Sequence, residues 1–154
     1  MTFYQFVLAV VIAFLASPFT QNSKQSTSTQ KGPCAKAMTQ TDLNTCFAQQ
    51  YKKADAHLNA VYGKLLELMM NDLARDKRQN DADMVRFDET ALLDLRKTER
   101  LWIRYRDSEC DAAEQQIDGG SMAPMTGAIC LMQVTNDRIK ELKNTYETPD
   151  RKLE

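Results

Sequence analysis

The sequence predicts an all-α domain, an antiparallel bundle of three main helices with two disulfides. Three observations lead there. Between residues 64 and 118 there is neither Gly nor Pro, which leaves a β-fold without its tight turns. Apolar residues recur at steps of three and four in three separate stretches. Five Gly and four Pro among 154 residues, with 27% charged and 43% hydrophobic, fit neither a turn-rich β-sandwich nor a disordered chain. Three amphipathic helices, each too exposed alone, must share one core.

The chain starts with residues 1–20, which read as a secretory signal peptide. The first charged side chain is Lys24, and Phe6 to Ala16 is the apolar run FVLAVVIAFLA, short for a bilayer span. Two features depart from the usual pattern: no Lys or Arg precedes the run, and Pro18 would follow a cut after Ser17. An uncleaved N-terminal anchor is the alternative. Because Cys34 lies well beyond the apolar run, a lipid-anchored form is disfavoured. Residues 21–33, mostly QNSKQSTSTQKG, are polar and of low complexity and read as a flexible linker.

The helical domain spans residues 34–146. Thr39 and Asp42 form a capping-box pattern ahead of Leu43, Phe47, Tyr51, Ala54, Leu58, Val61, Leu65 and Met69, the spacing of a first helix. Asn71 to Asp83 is almost wholly polar, so the connection to the second helix is expected within it, although Leu73 and Ala74 can prolong the first. A second run uses Met84, Phe87, Ala91, Leu95, Thr98, Leu101, Trp102, Tyr105 and Ala112, and ends before Gly119-Gly120. Pro124 suits the first turn of a third helix with Ala128, Leu131, Met132, Thr135, Ile139, Leu142 and Tyr146 on its apolar side. Residues 147–154, which include Pro149, are expected to fray.

Four cysteines, Cys34, Cys46, Cys110 and Cys130, are an even number suited to two disulfides in an oxidising compartment. Zinc lacks support, since there is no C-x-x-C pair and the only histidine, His57, is far from any Cys. Residues equidistant from a hairpin turn lie opposite one another, which brings Cys110 to Cys130 across a turn near residue 120 but also Cys46 to about residue 108 across one near residue 77; Cys34 with Cys46 and Cys110 with Cys130 is favoured, and sequence alone does not decide. The rival pairing is Cys46 with Cys110 and Cys34 with Cys130.

The charge balance excludes some partners. Lys plus Arg number 20 and Asp plus Glu 21, so neither a nucleic acid nor an anionic membrane has compositional support, and only the N-terminal signal, if uncleaved, reaches a membrane. Enzyme activity is not expected and no cofactor is implied. His57 has Asp55 only two residues away, on another side of the helix, and oxidised cysteines leave no thiol nucleophile. Gly119-Gly120-Ser121 lacks the Lys and preceding strand of a phosphate loop and reads as a helix-to-helix turn. Asp55, Asn59 and Tyr62 share one edge of the first helix, and Trp102, Arg106 and Cys110 share one of the second. Such residues orient a bundle, and Trp, Tyr and Arg are also the types that anchor interfaces.

From Cys34 to Tyr146 the chain resembles the lysozyme inhibitor LprI-like N-terminal domain family of exported bacterial proteins. The matching pieces are Cys34, Thr41 to Cys46, Ala54 to Tyr62, Trp102 to Cys110, Gly119 to Met122, and Cys130 followed by Thr135, Arg138 and Leu142. The resemblance implies a small disulfide-bonded helical domain of the bacterial envelope, periplasmic or secreted, that binds a protein partner, a lysozyme in the case of the family's name. It does not imply that every member inhibits. The inhibitor that gives the family its name looks lipid-anchored, a departure from the soluble export signal here.

On that reading the protein blocks a lysozyme cleft sterically and electrostatically, with no covalent step. The expected partner-binding residues are Trp102, Arg104, Arg106, Asp107 and the turn Gly119, Gly120, Ser121 and Met122. Asp107, Glu109, Asp111, Glu114 and Asp118 form an acidic stretch suited to steering a basic lysozyme, with Arg104 or Arg106 facing its catalytic carboxylates. A polar network is expected from Asp55, Asn59, Tyr62 and Arg138. The alternative function is an envelope interaction or immunity-type module without lysozyme activity.

Overall fold

The structure, a computed structural model, describes residues 32–154. The signal segment and the linker up to residue 31 lie outside the described residues. Gly32 and Pro33, assigned to the linker, instead enter a turn closed by the Ala35 N–H on the Gly32 carbonyl.

Three helices follow: α1 (Gln40–Gln79), α2 (Ala82–Gln115) and α3 (Ala123–Tyr146). The start of α1 is set by Thr39, whose hydroxyl accepts from the Asp42 N–H while the Asp42 carboxylate accepts from the Thr39 N–H. These bonds satisfy donors that a helix start leaves open. α1 is 40 residues long, about 60 Å at the usual helical rise.

The expected connection within Asn71 to Asp83 is much shorter than its polarity suggested. α1 continues to Gln79, Asn80 takes a left-handed conformation at φ 57°, and Asp81 caps α2 by accepting from the Met84 N–H. Asn tolerates that backbone region better than most residues, so one residue reverses the chain. The stretch stays helical because Leu73 is half-buried and the charged residues around it are paired, Arg75 with Asp72 and Asp76 and Arg151 with Asp72.

The second reversal uses Asp118 and Gly119, both at positive φ, and Pro124 stands in the first turn of α3 as expected. Arg106 meets Asp55, and Lys77 meets Glu89, so α2 runs back along α1. Cys110 meets Cys130, and Glu99 meets Arg138, so α3 runs back along α2. The disulfides are Cys34–Cys46 and Cys110–Cys130, the favoured pairing. In the chain-entropy model each short loop closure contributes about 3 kcal/mol.

The core joins Leu58, Val61 and Leu65 of α1, Leu95 of α2, and Ile139 and Leu142 of α3. Leu153 belongs to it as well, 1% exposed, so the tail expected to fray folds back onto the bundle. A Thr148 to Arg151 turn and the Leu153 N–H on Glu147 Oε1 hold that return, and Arg151 pairs with Asp72 of α1.

α2 departs most from expectation. Its inward stripe is Leu92, Leu95, Glu99, Arg106 and Cys110, with Trp102 half-buried among them. Met84, Phe87, Leu101 and Tyr105, expected in the core, face outward.

Candidate functional site

Two arginines and one tryptophan organise the middle of the bundle. Arg106 donates through Nη1 to Asp55 at 3.0 Å and through Nε to Asp107 at 2.9 Å. Its guanidinium carbon lies 5.2 Å from the Trp102 ring centroid and 5.6 Å from that of Tyr51. Arg138 donates through Nε and Nη2 to Glu99 Oε2, its Nη1 pairs with Glu141 at 2.9 Å, and its guanidinium lies 5.7 Å from Trp102. Trp102 thus serves both cations, an arrangement that suits the negative face of its ring.

The expected network of Asp55, Asn59, Tyr62 and Arg138 therefore divides in two. Asn59 donates to Asp55, which belongs with Arg106. Arg138 belongs with Glu99, and Tyr62 lies nearby, its phenol pushed up by burial and by the Glu99 charge. Burial works against the charge of Arg106, and the hydrogen bond and charge of Asp107, the nearby Tyr51 and the hydrogen bond to Asp55 together more than offset it. Chemically these groups neutralise and orient one another. Arg106, expected to face a partner's carboxylates, is buried and committed to its own; Arg104 is exposed.

Sequence reasoning missed Glu99 and Tyr51. Glu99 was legible in principle, since it falls four residues after Leu95 and three before Trp102, on the stripe that reaches Arg106 and Cys110. His57 is exposed. Among the described residues no group of three or more His, Cys, Asp or Glu side chains is placed to hold a metal ion.

A second acidic group sits near the α1–α2 reversal. Asp76 accepts from Arg75 Nε at 2.9 Å, yet Asp76 Oδ2 and Asp88 Oδ2 are buried without hydrogen-bond partners. Burial, and then the Asp76 and Asp72 carboxylates, push the Asp88 carboxyl up.

The opposite end of the bundle is exposed and anionic. Asp107, Glu109, Asp111, Glu114 and Asp118 all face solvent, and no Lys or Arg occurs between Arg106 and Arg138. Asp111, Glu114, Gln115, Gly119 and Ala123 line a surface depression. The turn beside it is anchored, because Asn44 Nδ2 donates to the Ser121 carbonyl at 3.0 Å. Gly127 lets α3 approach α2: a Cβ there would stand 2.5 Å from Glu114 Oε2. Gly119, Gly120, Ser121 and Met122 are all exposed.

These features define a small cross-linked three-helix domain whose buried polar groups hold the helices together and whose anionic end is open. The chain belongs to the family described as Lysozyme inhibitor LprI, which matches residues 33–142. It is 41% identical over 117 residues to an uncharacterized protein of Rhizobium meliloti (strain 1021), covering 76% of this chain and 81% of that protein. It is also 26% identical over 110 residues to the uncharacterized protein YecT of Escherichia coli (strain K12), covering 67% of this chain and 64% of that protein. No solved structure matches the chain. No helix among the described residues is long and apolar enough to cross a membrane.

Proposed function

We propose that this chain is an exported, periplasmic lysozyme-inhibitor-like protein that binds its partner through the anionic end of the bundle and blocks the partner's cleft without a covalent step. The observation that carries this reading is the exposed acidic series from Asp107 to Asp118, with no Lys or Arg within it or after it until Arg138. A c-type lysozyme is a basic protein, so such a surface speeds encounter and fixes orientation at low salt. The anchored turn Gly119 to Met122, beside the depression lined by Asp111 and Glu114, supplies a firm protrusion. Arg104, exposed one turn before Ser108, remains available to a partner's carboxylates; Arg106 is held by Asp55 and Asp107. Export is supported by the apolar run Phe6 to Ala16 and by two disulfides, which persist in oxidising compartments.

Reversing two exposed charges tests the surface. Glu109→Lys with Asp111→Lys should weaken binding of c-type lysozyme by about tenfold or more at low salt, as read by calorimetry, while far-UV helicity stays unchanged. Unaltered affinity removes the acidic series from the binding surface.

A further inference from the structure

α2 carries two stripes, and the bundle uses one. The outward stripe steps by three and four from Met84 to Tyr105, and its large members, Met84, Phe87, Leu101 and Tyr105, are 42%, 65%, 54% and 58% exposed. Scattered apolar residues on a surface need no explanation. Large apolar residues at steps of three and four at both ends of a 22-residue face, Met84 with Phe87 and Leu101 with Tyr105 on either side of a polar centre at Asp94 and Thr98, do, because such steps form the seam by which one helix lies along another.

The order of residue sizes identifies the occupant. Read from either end toward Asp94, the stripe runs large, large, small, so it is nearly a palindrome. An antiparallel two-fold about Asp94 sets Met84 against Tyr105, Phe87 against Leu101 and Ala91 against Thr98. A two-fold interface must be complementary to itself, whereas an unrelated partner imposes no such symmetry. Charge follows the same operation. Asp83, which pairs with Arg86 on its own helix, and Arg104, both exposed, come opposite one another twice, and the two Asp94 carboxylates that meet at the centre each have the second copy's Lys97 within one helical turn.

We infer that the outward face of α2 is the interface between two copies of this chain, docked antiparallel over about six helical turns. The surface that covers the stripe is the same stripe. The acidic residues from Asp111 to Asp118 and the Gly119 to Met122 turn lie beyond Tyr105, so each copy keeps its anionic end open. The dimer does not depend on the proposed lysozyme binding, and it engages Arg104, so in the dimer that residue is not available to a lysozyme.

Sedimentation equilibrium of the oxidised protein, from about 1 µM to about 1 mM, tests this. A monomer–dimer equilibrium is expected, with Phe87→Glu and Leu101→Glu each raising Kd by about tenfold or more. Both positions are exposed, and far-UV helicity checks the fold. Asp83→Arg and Arg104→Asp should each weaken the dimer, and the two together should restore it, since only the antiparallel register pairs them. A monomer at every concentration, a dimer unaffected by Leu101→Glu, or a double reversal that fails to restore association overturns the inference. So does a monomeric wild type whose lysozyme binding is lost with Leu101→Glu, which assigns the face to that partner.

Discussion

Arg138 delivers two N–H groups, from Nε and Nη2, to a single oxygen of Glu99 at 3.0 and 2.8 Å, and both side chains are buried where α2 meets α3. Glu99→Ala leaves that guanidinium buried with only the exposed Glu141 as counter-ion, and should cost about 3 kcal/mol. Removing both charges with Glu99→Leu and Arg138→Met should cost less than Glu99→Ala alone, because no unpaired charge remains. Urea unfolding of the oxidised variants measures both. A Glu99→Ala cost below about 1 kcal/mol contradicts the pairing.

Arg106 works by shape as well as charge. Its planar guanidinium meets two aromatic rings and two carboxylates at once, which an ammonium cannot do. Asp55 and Asp107 keep substantial contact with water, so the ionic share is small. Arg106→Lys should cost about 1 kcal/mol and Arg106→Ala about 2 kcal/mol, mostly as lost packing. Both should change the near-ultraviolet signal of Trp102; an unchanged spectrum contradicts the contact.

Leu153 distinguishes a folded tail from a frayed one. At 1% exposure its side chain fills the core, so Leu153→Ala should cost about 2–4 kcal/mol in urea unfolding. A frayed tail predicts no change.

Asp88 makes stability depend on pH. Its folded carboxyl titrates above its ordinary value of 3.8, first through burial and then through Asp76 and Asp72, with Arg75 opposing. The folded state therefore holds this proton to higher pH than the unfolded state. Stability falls as pH rises through that interval and stays lower above it. Asp88→Asn removes the charge and brings an amide donor for Asp76 Oδ2. Its Tm should exceed that of the parent near pH 7, and the contribution of residue 88 to the pH dependence should vanish. A lower Tm near pH 7 contradicts the argument.

What the sequence made legible follows from which physics is local. The capping box at Thr39, the gap in Gly and Pro, and Pro124 at the start of α3 report backbone preferences that need no tertiary contact, and each stands where expected. The favoured disulfide pairing is the one present, although hairpin geometry alone also allowed the rival, and the first reversal lies at Asn80 rather than near residue 77. Polarity misled where charged residues are paired. The segment from Asn71 to Gln79 reads as a loop by composition but is helical, with Asp72 held by Arg75 and Arg151.

α2 was misread for a related reason. Its most apolar stripe, through Phe87, Leu101 and Tyr105, is the one the bundle leaves out, while the inward stripe contains Glu99 and Arg106. Hydrophobic periodicity alone ranks those stripes in the wrong order, because a buried ion pair looks like a solvated surface until its partner is known. Leu153 gave no periodic signal at all. Of the candidate binding residues, the Gly119 to Met122 turn and Arg104 are exposed, whereas Arg106 is withdrawn into the bundle and Trp102 half-buried.

The most direct test of lysozyme inhibition uses the oxidised protein, with both disulfides verified, titrated against c-type, g-type and i-type lysozymes in a cell-wall lysis assay at low and physiological salt. Inhibition should saturate at one inhibitor per c-type enzyme and weaken as salt screens the acidic end. No inhibition of any class at either salt concentration contradicts the proposed function.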